Sequence, residues 1–129
     1  MTGKTRWLMA TFLAPAMAAA WTAMPCAQAH AGGKSASFTV VNVEYEGTKL
    51  FVPPTLVVKK GDQVKITILN NIPSDPPNHG FAIPDFGVET VVNRGEPQTV
   101  EFTADKTGIF DIKCQLHPAH VHGQLVVQE

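Results

Sequence analysis

Ile109-Phe110-Asp111-Ile112-Lys113-Cys114 alternates along its length, then gives way to Gln115-Leu116-His117-Pro118-Ala119-His120-Val121-His122-Gly123. Side chains two residues apart in a strand share a face. Phe110, Ile112 and Cys114 therefore make one face that is apolar up to the thiol. Ile109, Asp111 and Lys113 make the other, mostly polar, face. The pattern predicts a strand over 109–113 whose buried row ends in Cys114 at one pole of a β structure. Three histidines follow on the loop that leaves this pole. A fourth, His79, ends a Pro/Asn-rich loop upstream, so four of the chain's five histidines fall in two places.

Working outward, residues 38–43, 55–59, 63–69, 98–103 and 124–128 are short, β-branched and alternating, the signature of strands. Weaker pieces at 81–83 and 88–92 bring the count to about eight. Turn formers separate them: Pro53-Pro54, Lys60-Gly61-Asp62, residues 73–78, Arg94-Gly95-Glu96-Pro97 and residues 105–108. The same parity places Val64, Ile66 and Ile68 inside, with Val100 and Phe102. No stretch carries a sustained helical period, although 89–93 has the length for one turn. Short strands at this spacing predict an all-β fold, an antiparallel Greek-key β-sandwich.

A chain of 129 residues has room for one domain. Residues 1–29 read as a secretory signal peptide: Lys4 and Arg6 precede an uncharged Ala/Leu/Met/Phe run, and Ala27-Gln28-Ala29 fits small-x-small cleavage. Ala29-His30-Ala31 fits the same rule, so cleavage after Ala29 or Ala31 is expected, leaving a domain over 30–129 and no membrane span. Pro25 before Cys26 argues against lipid attachment. The exported domain then keeps one cysteine, Cys114, in a compartment where cysteines normally pair. It has 8 basic residues against 11 acidic once Lys4 and Arg6 are removed, a net charge of −3. With no basic run, nucleic acid is excluded as a partner class.

A thiolate with imidazoles is a borderline-soft donor set, which copper or zinc takes in preference to magnesium or calcium. Two residues separate His117 from Cys114, and Pro118 stiffens the bend that turns it back. His120 or His122 supplies a fourth donor; both on one ion would crowd it. Two histidines and a cysteine in a plane with a weak axial donor mark electron-transfer copper. One cysteine and three histidines also suit tetrahedral zinc. No Ser-His-Asp set, phosphate loop or paired carboxylates has a usable spacing, so an electron carrier or metal-binding protein is expected sooner than an enzyme.

The segment from Cys114 to Gly123 resembles the copper loop of cupredoxins, with the Cys-x-x-His-Pro form of amicyanin-type members. Leu56-Val-Val-Lys-Lys-Gly-Asp62, Phe86-Gly-Val88, Phe102-Thr-Ala-Asp-Lys106 and Cys114-Gln-Leu-His-Pro118 are similar to stretches of nitrosocyanin-like red copper proteins. Cupredoxins linked to periplasmic copper tolerance share a Cys-Gln-Leu-His-Pro-Ala-His loop. The resemblance implies the eight-stranded Greek-key sandwich and one copper per domain, cycling between Cu(II) and Cu(I). It assigns Cys114 as thiolate, His117 as loop imidazole and His79 as upstream ligand, a position that is glutamate in nitrosocyanin. For the last donor, loop length favours His120, with His122 the alternative. No methionine follows Cys114, and an imidazole in that place is expected to favour Cu(II). Blue cupredoxins often tie their ligand loops through an asparagine after the upstream histidine; here Gly80 follows and Asn78 precedes. The expected role is periplasmic one-electron transfer with a redox partner protein. The alternative is copper sequestration for tolerance beside copper-handling proteins, and a third reading is a red copper site open to a small molecule. The nitrosocyanin likeness implies a trimer as one possible assembly.

Overall fold

The computed structural model describes residues 33–129. The expected leader 1–29, with Cys26, and the expected cleavage sites beside His30 lie outside the described residues. Nine strands follow in order: β1 (Ser35–Tyr45), β2 (Thr48–Val52), β3 (Thr55–Lys59), β4 (Gln63–Asn70), β5 (Asn78–Ile83), β6 (Val88–Asn93), β7 (Gln98–Thr103), β8 (Gly108–Ile112) and β9 (Gly123–Gln128). One sheet has the order β2-β1-β4-β7, a second β3-β9-β8, and β5-β6 form a hairpin. Ala82 and Lys113 exchange backbone hydrogen bonds of 2.8 and 3.0 Å, which join that hairpin to the end of β8.

The expected β-sandwich is present, with two differences in detail. β1 runs parallel to β4 and β3 parallel to β9, whereas the remaining pairs are antiparallel. Alternation reports which face a residue occupies and says nothing of its neighbour's direction, so parallel pairing is invisible to it. The strand without a counterpart in the sequence reading is β2. It returns from β1 through a turn in which Glu46 and Gly47 both have positive φ, 47° and 78°. That is the twist of a type I′ hairpin, which usually advertises itself as Asn-Gly. Residues 88–93 form strand β6, as the weaker alternation at 88–92 suggested, and a 3-10 turn sits at Pro84–Phe86.

Val40, Phe51, Val64, Ile66 and Ile68 of the first sheet meet Leu56, Val58, Ile112, Leu125 and Val127 of the second in one core. Phe81, Ile83, Val88 and Val92 of the hairpin extend it. A large aliphatic or aromatic side chain fully buried in this way contributes about 1.5–3 kcal/mol. Val100 and Phe102 pack on the core partly buried, and Ile109 faces outward, as alternation requires. The antiparallel bridge between Ala82 and Lys113 sets the start of β5 beside the residues that follow β8, so His79 and Cys114 arrive at the same pole. At the opposite pole Phe86 packs on Phe102 and Phe110, with the Lys106 ammonium 5.1 Å from the Phe86 ring centre.

Candidate metal centre

The loop that delivers His79 is braced from both sides. Asn70, buried at the end of β4, donates to the carbonyls of Pro77 (2.9 Å) and Val92 (3.0 Å) and accepts from the Ile72 amide. Arg94 donates to the carbonyls of Ile72 and Ser74 at 2.8 and 2.7 Å. His79 therefore enters β5, opposite Val92, from a segment whose backbone is pinned. Cys114 lies two residues past β8 and remains buried, where the parity of that strand put it. His117 and His120 occupy the two ends of one β-turn, closed by the His120 amide on the His117 carbonyl at 3.0 Å. Pro118 at the second position presets its φ for such a turn. The Val121 amide then donates to the Lys49 carbonyl of β2, which docks the loop on the first sheet.

Donor atoms of His79, Cys114 and His117 all lie within 4.8 Å of one another. The Cys114 Sγ to His117 Nδ1 distance is 3.5 Å. Donors held at about 2.0–2.3 Å from one ion at a tetrahedral angle stand roughly 3.5 Å apart. The Gly80 amide donates to Sγ at 3.1 Å, a contact that suits a thiolate. His120 lies just outside this trio, its ring 5.9 Å from that of His79 and tilted over Phe51 at 4.2 Å. His122 points elsewhere: its side chain is 49% exposed and faces Asp111 at 3.8 Å. The structure thus brings His79, Cys114 and His117 together, sets His120 behind them and leaves His122 outside.

Burial disfavours the charged form of two of the imidazoles, His79 and His120. Burial, followed by the His117 and His120 rings, lowers His79 from 6.5 to about 4. Burial also lowers His120, although the Val121 carbonyl pulls the other way. That carbonyl accepts from His120 Nδ1 at 3.1 Å; it has no proton to give, so the proton sits on Nδ1 and the Nε2 lone pair is free. Nε2 of His120 and both ring nitrogens of His79 are buried without a protein hydrogen-bond partner. A buried polar atom left unpaired costs about 1–3 kcal/mol. A cation that takes up the lone pairs removes that cost on the coordinating side. One thiol and two imidazoles in the trio, with the His120 imidazole behind them and no hard oxygen donor in the set, fit copper or zinc.

Sequence reading missed three participants: Phe51, because β2 itself was missed; Gly80, as a donor to sulfur; and Gln115, which links the Cys114 loop to the hairpin through Thr90. The Cys-Gln pair was visible, but nothing in its spacing told where the amide turns. Asn78 sits opposite Asn93 in the hairpin, and the link between the two ligand-bearing segments runs through Gly80 and Gln115 instead.

The profile of the cupredoxin-like domain family matches residues 15–127. Among curated proteins, the nitrous-oxide reductase of Cupriavidus necator is 42% identical over 57 residues. That match takes in 44% of this chain and only 9% of the reductase. Among solved structures, a copper nitrite reductase from Nitrosomonas europaea superposes with a TM-score of 0.64 at 22% identity, over 74% of this chain and 42% of that one. An apo copper-binding protein solved in solution matches at 26% identity and a TM-score of 0.52, over 74% of this chain and 97% of that one. No helix among the described residues is long and apolar enough to cross a membrane.

Proposed function

The chain belongs to the cupredoxin-like domain family, and from that premise we propose that it is a periplasmic mononuclear copper protein that passes single electrons between redox partners. One copper ion, when bound, supplies the one-electron couple Cu(II)/Cu(I). Cys114 would give the thiolate, His79 and His117 the first two imidazoles, and His120 a further donor from the interior. The observation that carries this reading is the Cys114–His117–His79 cluster, three soft donors within 4.8 Å of one another on a braced pole. His117 is the partly exposed member of the trio, so its ring edge is the route between the centre and a docked partner. The other donors are buried and held by packing, which limits rearrangement between the two oxidation states. A His79 held neutral by burial can bind the ion without first losing a proton, whereas ligation by a thiolate displaces a thiol proton.

Copper titration followed by visible absorption, EPR and voltammetry tests the proposal. One equivalent, a strong thiolate-to-copper band and a reversible one-electron wave are expected. A spectroscopically silent metal complex would identify zinc instead.

A second reading, copper sequestration for tolerance, draws on one observation: the free Nε2 of buried His120 offers an imidazole where a weak thioether would keep the site poised. Tight Cu(II) binding with a potential too low for exchange with periplasmic partners would select it. Histidine at position 79, where nitrosocyanin-like proteins have glutamate, gives the open red-copper reading no added support.

A further inference from the structure

One polar contact at this pole is not required by metal ligation itself. Gln115 follows Cys114 directly, yet its side chain crosses Gly80 to reach the hairpin, where Nε2 donates to the Thr90 carbonyl at 3.0 Å. The crossing is close. A methyl group at Gly80 would stand 2.1 Å from Gln115 Oε1 and 2.5 Å from Cδ. Gly80 is not among the glycines with positive φ, so room for this amide, not backbone strain, accounts for the missing side chain. The same Gly80 donates its N–H to Cys114 Sγ at 3.1 Å. Thr90 pairs with Phe81, the next residue along β5. The Gln115 amide thus ties β6, the hairpin partner of the strand that carries the N–H donor, to the residue beside the sulfur.

We infer that Gln115 is a positioning residue that holds the Gly80 N–H on the Cys114 sulfur and thereby sets the balance between the two copper oxidation states. The inference rests on the copper reading above. A donor on the sulfur stabilises its more electron-rich state, and sulfur bound to Cu(I) carries more negative charge than sulfur bound to Cu(II). Hydrogen bonding around the cysteine sulfur is one of the levers on the potential of such centres, and outer partners commonly change metal affinity by 10–100-fold. The hairpin needs the strap, because two strands alone are marginal and backbone bonding to the second sheet runs through Ala82 and Lys113. Gln115 fastens it a second time, at the level of the sulfur.

Gln115→Met keeps bulk over Gly80 and removes the donor, while Gly80→Ala pushes the amide off from the other side. Two readouts apply: the midpoint potential of the copper-loaded protein, and hydrogen exchange of the Gly80 amide in the metal-free protein. Each single substitution is expected to lower the preference for Cu(I) over Cu(II) about tenfold, about 59 mV for one electron, and to speed Gly80 exchange. The double variant should change no more than either single one, because both break the same strap. Gln115→Glu, whose carboxylate cannot donate, repeats the test should the Gly80 variant fail to fold. Unchanged potential and exchange in a copper-loaded Gln115→Met, or additive effects of the two substitutions, overturn the inference alone. A wild-type protein that takes up no copper overturns the functional reading with it.

Discussion

The two poles of the sandwich are closed in opposite ways. At one, Phe86 fills the gap between Phe102 and Phe110 under a lysine ammonium, an arrangement complete in itself. At the other, His79 and His120 are buried with lone pairs unmet, and Asn42 on β1 is buried with both amide atoms unpaired. The same β5 and β8 strands run between them, so scaffold rigidity is shared and only the end chemistry differs. One pole is built for stability. The other leaves buried polar atoms unpaired, and the proposed copper would take up the imidazole lone pairs among them.

That contrast can be broken most sharply at His79. His79→Ala is expected to weaken copper binding by about 100-fold or more, roughly 2.7 kcal/mol at 1.36 kcal/mol per tenfold, without lowering the stability of the metal-free protein. Competition titration and urea unfolding measure the two sides. A metal-free protein destabilised by 3 kcal/mol or so would show that His79 serves packing. At the aromatic pole, Phe86→Ala should do the reverse. It removes a half-buried ring with two aromatic neighbours, so about 2 kcal/mol of stability should go while copper affinity stays within twofold. Asn42→Leu sharpens the comparison from within the polar pole. Replacing its orphaned amide by an apolar isostere should stabilise the metal-free protein by about 1 kcal/mol, read as a raised urea midpoint at constant m-value. The smallest effect belongs to His122→Ala. An exposed ring facing Asp111 should move stability by less than about 0.5 kcal/mol and leave the copper spectrum untouched, whereas His120→Ala alters it.

The interior and the metal-bearing loop were open to sequence reading for a physical reason. Alternation is a local property, and Phe110, Ile112 and Cys114 carry it up to the thiol, so burial of the sulfur followed from parity alone. The spacing of Cys114 and His117 made their proximity legible, and the structure sets their donor atoms 3.5 Å apart. Strand partners were not legible, because pairing direction is a long-range property: Val40 lies beside Ile68 in a parallel pair that no window of residues encodes. β2 escaped because Glu46-Gly47 lacks the usual hairpin dipeptide, and Phe51 under His120 was lost with it. The choice between His120 and His122 stayed open since loops have no period. The turn closed by the His120 amide on the His117 carbonyl and the docking of Val121 on Lys49 separate the two rings.

Copper titration of the wild-type protein beside Cys114→Ser, followed by visible absorption and EPR, tests the copper assignment most directly. The wild type should take up one equivalent with an intense thiolate-to-copper band, and the serine variant should lose the band and bind far more weakly. Equal uptake with the same spectrum in both would contradict it.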